Sequence, residues 1–261
     1  MFFGIFGAVF RFFGGKMIFY DSHFHIVQLA QKEENLKVYN GCSCAHSKEE
    51  FFLQEKLVKN LKQKILLSFG LHPQNPDMTL APFLEQLISE NRLNSIGESG
   101  FDLFTDYFKS HFEEQKKAFV FCAEQAAFAK LPLVIHNRKA LDALFANKNL
   151  LSKIPSVIFH SFAFTPREAN ELLKKGINAY FSFGKAILNG NKKSIACTKE
   201  LPLNRLLFET DAPFQTLKGE AFTSAQQIIL VYKQAALLRE IDLSELCEQA
   251  ENNFKLAFLQ N

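Results

Sequence analysis

Two histidines two residues apart, His23 and His25, close an apolar run in the stretch IFYDSHFHI. On an extended strand such a pair shares one face, so both imidazoles project together, as two ligands to one divalent ion require. The pair alone does not separate a metal site from a satisfied core pair; its company does. His72 follows an apolar run in SFGLHP, Glu98 in SIGESGFD, His136 in LPLVIHNR and His160 in SVIFHSF, while Glu209 and Asp211 close LLFETDAP. Five of the seven histidines therefore fall at predicted strand C-termini, and only His46 and His111 do not. Imidazole with carboxylate suits Zn²⁺, Mn²⁺ or a similar ion, whereas Mg²⁺ alone favours more oxygen ligands. Four histidines and two carboxylates exceed what one catalytic ion with an open water position uses. They suit two ions sharing a carboxylate, about 3.5–4 Å apart.

Elements must bring these residues together. Short runs rich in Ile, Val, Leu and Phe predict strands at 17–21, 38–43, 65–70, 95–97, 132–135, 156–159, 177–182 and 206–210, as expected of parallel strands covered on both faces. Between them, apolar spacing near 3.6 predicts helices at 48–62, 81–91 and 109–129. Another runs from Pro166, after Thr165, to Lys175, with Gly176 as its stop. Helices at 223–239 and 243–259, the latter with Asp242 at its cap position, end the chain. Eight strands mostly separated by helices indicate an α/β fold, a single (β/α)8 TIM-type barrel with the active site at the C-terminal ends of the strands. A doubly wound open sheet is the alternative, weakened because no Gly-rich phosphate loop follows an early strand.

Composition bounds the function. With 261 residues, 48% of them hydrophobic, the chain can bury a large core, and its 30 phenylalanines are expected to fill it. A net charge of +3 permits an anionic substrate without implying a nucleic-acid-coating surface. Five cysteines in odd number, with no C-x-x-C spacing, argue against a disulfide framework and for a reducing cytoplasm. Cys42 and Cys44 read as small apolar residues of a buried strand rather than soft metal ligands. Residues 1–16 carry an apolar run about half as long as a membrane span needs, without a basic start or a small-residue cleavage site. They are expected to be an N-terminal extension outside the fold, with 17–261 forming the barrel. A weak membrane-surface anchor is the alternative; stable membrane insertion is not expected.

The motifs DSHFH, GLHP, IGESGFD, LPLVIHNR, FHSF and RLLFETDAPF, in that order, resemble the TatD-type metal-dependent deoxyribonucleases, among the amidohydrolase-like barrels. The resemblance covers about residues 17–258. It implies two divalent ions (Zn, Mg or Mn), with His23, His25 and Asp211 holding one, His136 and His160 the other, and Glu98 bridging. It implies that Asp211 orients and deprotonates the attacking water, and that His72 and Arg138 lie near the substrate, where a guanidinium suits a phosphate. Glu209 is expected behind a ligand histidine, fixing its tautomer. Asp102 is expected to order its loop or form a salt bridge, and Asp21 to brace the histidines.

The implied activity is hydrolysis of phosphodiester bonds in nucleic acid, DNA or possibly RNA, as an exonuclease on single strands, with no obligate protein partner. The same site could hydrolyse an ester or amide, as in D-aminoacyl-tRNA deacylation. A non-catalytic binding barrel would require a broken ligand set, and none of the six candidate ligands is missing. The sequence departs from the family in having Phe101 where Leu is usual before the Asp. It also has QTLKGEAFTSAQQ after ETDAPF in place of an Arg/Gly segment with Asn-Glu-Pro. The Lys-rich stretch 185–199 (Lys185, Lys192, Lys193, Lys199) reads as a solvated basic loop, with phosphate contacts as the alternative.

Overall fold

The short apolar runs become eight parallel strands in the computed structural model, which describes residues 17–259. They are β1 Tyr20–Phe24, β2 Asn40–Ala45, β3 Ile65–Phe69, β4 Ser95–Asp102, β5 Leu133–Arg138, β6 Val157–Phe159, β7 Ala179–Phe183 and β8 Leu206–Phe208. Neighbours in sequence are neighbours in the sheet, from β1 through β8. Helices lie between most successive strands. The chain is thus the (β/α)8 barrel that the alternation predicts.

Period-2 alternation divides the strand residues between two layers. One set faces inward: Cys42, Cys44, Leu66, Val134, Ile158, Tyr180 and Leu207 cluster with Phe254 and Phe258 of the C-terminal helix Leu243–Phe258. The other set packs outward on the helices, where the phenylalanines collect. Phe51, Phe69 and Phe83 meet edge to face, at centroid distances of 6.0, 5.9 and 5.2 Å, the arrangement that ring quadrupoles favour. All five cysteines are buried and unpaired, Cys42 and Cys44 on β2 as expected.

The barrel's seam is made differently from its other joints. Among the described residues β8 and β1 share no strand ladder. The Asp21 carboxylate accepts from Thr210 N at 2.9 Å and from Thr210 Oγ1 at 2.5 Å. Above it, Asp211 N donates to His23 O at 3.0 Å and His25 N to Ala212 O at 2.8 Å. Asp21 therefore braces the segment carrying the two histidines.

Several boundaries move. Strand β1 starts at Tyr20, not Met17, because Met17 and Ile18 are 40% and 38% exposed and have no neighbouring strand. Strand β2 ends at Ala45, which puts His46 directly at its C-terminus. Strand β4 continues to Asp102, so Glu98 lies within the strand instead of after it. The long helix at 109–129 is two, Asp106–Ser110 and Phe112–Ala129. The helix Pro166–Lys174 has the Thr165–Glu168 capping box, and Gly176 adopts φ 77° after it. The Lys-rich stretch is no loop: it holds the 3₁₀ turn Lys185–Ile187 and the helix Lys192–Glu200, whose first amides are capped by Asn191. No helix among the described residues is long and apolar enough to cross a membrane. Residues 1–16, expected as an extension, lie outside the described residues.

Candidate metal centre

Parity carries the inward layer up to the mouth. Two residues beyond an inward apolar side chain, Cys44 leads to His46, Val134 to His136, Ile158 to His160, and Leu207 to Glu209 and Asp211. Glu98 reaches the same space from the middle of β4, where the pairing with β5 shifts register between Ile96 and Ser99. The close approach of β4 to both neighbours needs glycine. A Cβ at Gly100, where φ is 149°, would lie 2.0 Å from His136 O, and one at Gly70 would lie 2.5 Å from Glu98 O.

Glu98 is 2% exposed and is the hub of the site. Its Oε2 lies 3.4 Å from Nε2 of both His23 and His25. Those two nitrogens are 3.3 Å apart, and Asp211 Oδ1 lies 3.5 and 3.4 Å from them. Its Oε1 faces the other way, 2.7 Å from His160 Nε2 and 3.5 Å from His136 Nδ1, which are themselves 3.1 Å apart. The other five sequence-predicted ligands thus gather in two groups, one on each side of the Glu98 carboxylate.

Around them stands a ring of supporting contacts. His23 Nδ1 lies 3.4 Å from Cys44 Sγ, so a proton on Nδ1 leaves Nε2 free to face the centre. His136 Nε2 meets Asp102 Oδ2 at 3.2 Å, and Gln74 Nε2 donates to the same oxygen at 2.7 Å. Asp102 also lies 3.7 Å from Arg138, so the loop-ordering and salt-bridge expectations both hold for it. Glu209 Oε1 accepts from Ser161 N at 2.7 Å and lies 3.7 Å from His160 Nδ1, behind a candidate ligand as expected. Asp211 adopts φ 55°, a left-handed conformation Asp tolerates, and Gln215 Nε2 donates to its Oδ2 at 2.8 Å.

Charge follows from burial and pairing. Burial alone would raise Glu98, but the His23 and His160 rings outweigh it and hold the carboxyl well below its usual range. Asp211 is likewise held below the carboxylate range, burial being outweighed by His23 and His25. Burial and repulsion from His23 would lower His160, yet Glu98 and Glu209 bring it up to about 9. His72 goes the other way: burial and the neighbouring His46 push it well below the imidazole range.

The centre opens into a cleft of about 580 Å³ lined by His46, His72, Arg138, Phe214 and Gln215 among others. His72 receives Gln74 N–H on Nδ1 at 3.2 Å, which puts its own proton on Nε2, 3.8 Å from Glu98 Oε1. Arg138 lies over the Phe104 ring, 4.1 Å from its centroid. Several cleft residues escaped the sequence reading, and two of them lie against the candidate ligands Glu98 and Asp211. His46 is one, and the signal for it was its parity with Cys42 and Cys44. Gln215 is the other, supplied by the loop in which this chain departs from the family, with no motif to announce it. One expectation is corrected: Lys185 cannot contact a phosphate in the cleft. Its side chain is buried, with its ammonium bound to Glu220, Thr223 and Gln227. Nor do Lys192, Lys193 and Lys199 line the cleft.

An eight-stranded parallel barrel with imidazoles and carboxylates gathered at its C-terminal mouth defines the class of protein. The sequence profile of the TatD-related DNase family matches residues 20–259, and the chain belongs to that family. It is 34% identical over 209 residues to the uncharacterized metal-dependent hydrolase YabD of Bacillus subtilis, covering 76% of this chain and 78% of that one. It is 32% identical to the 3'-5' ssDNA/RNA exonuclease TatD of Cronobacter turicensis over 149 residues, 56% of each chain. The fold is similar to that of the TatD homologue YjjV from Escherichia coli, with a TM-score of 0.80 and 24% identity over 92% of this chain and 97% of that one.

Proposed function

We propose that this chain is a divalent-metal-dependent hydrolase that cleaves phosphodiester bonds at the end of single-stranded DNA or RNA. The observation that carries the reading is the spacing of the ligand atoms. An ion about 2.1 Å from its donors keeps neighbouring donors about 3.0–3.4 Å apart, from octahedral to tetrahedral, with positions left for water at the higher coordination numbers. The five measured separations among His23, His25, Glu98 Oε2 and Asp211 Oδ1 run from 3.3 to 3.5 Å. Buried donors so spaced, two of them anionic, fit a divalent cation. His136, His160 and Glu98 Oε1 would hold a second. Bound there, such ions lower the pKa of a water toward neutrality and offset charge building on phosphate oxygens.

The chain's own residues supply the rest. Asp211, ionised and held by Gln215, would orient a water and take its proton. His72 offers Nε2–H, and Arg138 a guanidinium held by Phe104 and Asp102, to the oxygens of the phosphate. Membership of the TatD-related DNase family and the similarity to a protein named as a single-strand exonuclease favour nucleic acid over other esters. The buried, unpaired cysteines favour a reducing compartment such as the cytoplasm.

The test is a substrate panel on metal-stripped protein. Cleavage of single-stranded oligonucleotides is expected only after Mg²⁺, Mn²⁺ or Zn²⁺ is restored. Full cleavage in excess chelator would sink the metal reading. Hydrolysis of a D-aminoacyl-tRNA without cleavage of any oligonucleotide would replace the substrate.

A further inference from the structure

We propose that His46 is an additional ligand on the Glu98 Oε2 side of the centre, so that this position gathers three imidazoles and selects a transition ion, Zn²⁺ or Co²⁺, over Mg²⁺. The inference rests on the metal-dependent reading above and concerns a residue outside the six-ligand set. His46 continues the inward row Cys42, Cys44 and stands at the C-terminal end of β2, between the β1 histidines and His72. Its ring lies 5.4 Å from that of His25 and 4.6 Å from that of His72, centroid to centroid.

The geometry at Glu98 points to a ligand rather than a hydrogen-bond donor. His46 Nε2 is 3.1 Å from Glu98 Oε2, shorter than the 3.4 Å of His23 or His25. Despite that closeness the buried Nε2 has no hydrogen-bond partner, because the two atoms are not aligned as donor and acceptor. Two atoms side by side at this separation are what neighbouring ligands of one ion look like. His46 groups with His72 and Glu98, and with His25 and Glu50, their donor atoms within 4.8 Å of one another, but His72 and Glu50 are already engaged. Both Glu50 oxygens are engaged, one by His46 N at 2.8 Å and one by Gln28 Nε2 at 2.7 Å, which also pins the loop carrying His46. His72 accepts on Nδ1, so its Nε2 carries a proton and cannot ligate as a neutral ring. A third imidazole beside His23 and His25 shifts the donor set from oxygen toward nitrogen, which favours Zn²⁺ and Co²⁺ over Mg²⁺.

The test compares metal-stripped wild type with His46→Ala and His46→Asn, using competition titrations with Zn²⁺, Co²⁺ and Mg²⁺ and the visible spectrum of the Co²⁺ form. The expected result is a loss of about tenfold or more in Zn²⁺ and Co²⁺ affinity in both variants. Mg²⁺ affinity should be little changed, and the Co²⁺ absorption should differ from wild type. Unchanged affinities and spectrum in His46→Ala overturn the inference while leaving the metal reading intact. So does wild-type affinity in His46→Asn, which would make His46 a hydrogen-bond support for Glu98. Wild type that takes up no divalent ion overturns both.

Discussion

Glu98 and Asp211 are both buried carboxylates facing histidines, yet their surroundings give them different work. Glu98 has each oxygen turned toward a different imidazole group, the posture of a bridge. Asp211 turns only Oδ1 toward His23 and His25 and keeps Oδ2 on Gln215. Replacing Asp211 with Asn should therefore lower kcat by about 10²–10⁴-fold while oligonucleotide binding persists, read by single-turnover cleavage beside a binding assay. Behind His160, Glu209 should act through metal retention. Glu209→Gln is expected to weaken binding at one site by about 10–100-fold in a chelator competition, and unchanged affinity would remove it from the centre. At this scale the sequence was informative wherever a residue stood at the end of an apolar run, as His23, His25, His136 and His160 do. It was silent on Gln215, which reaches Asp211 through a loop whose course no local pattern encodes. His46 was hidden by a two-residue error in where β2 ends.

Elements position these residues through a few non-repeating details. Strand β4 is pressed between its neighbours by glycines, and the loop after β8 is held down by the buried Lys185 and its partner Glu220. The hydrogen bond from Lys185, with a second from Leu217 N, holds the Glu220 carboxyl at about 2. Its folded value thus lies below the unfolded value of about 4.3, so its contribution is complete above that pH and lost as pH falls toward the folded value. Glu220→Gln leaves an ammonium buried with only Thr223 and Gln227, and should cost about 3 kcal/mol at neutral pH in urea unfolding. The gap from wild type should narrow as pH falls from about 5 to 2. A gap that stays constant over that range would place the effect elsewhere. The sequence showed the helix start at Thr165 and Pro166 because such end signals are local. It misread Lys185 as solvated because a lysine's partner 35 residues away leaves no trace in its own neighbourhood.

For the whole molecule, alternation of strand and helix was enough to reach the barrel, since connection rules leave few ways to close eight parallel strands. The seam between first and last strands was not legible, because it is made by Asp21 meeting Thr210 across 189 positions of sequence and by backbone bonds of His23 and His25 to Asp211 and Ala212. Ligands of the proposed first ion come from both sides of that seam, so metal should tie the barrel shut. Divalent ion at about 100 times its Kd should add about 2.7 kcal/mol of stability and raise Tm by about 5–10 °C. Differential scanning calorimetry with and without chelator checks this, and an unchanged Tm would dissociate the ion from the seam.

The same seam sets an order of assembly. Asp211 cannot meet His23 until β8 has joined β1, which makes it among the most non-local contacts in the chain. While the polypeptide emerges from the ribosome, His23 and His25 are made early and wait for a partner synthesised nearly at the end. A chain shortened before residue 211 would carry all seven histidines and no complete centre, so hydrolytic power is withheld until the fold is whole.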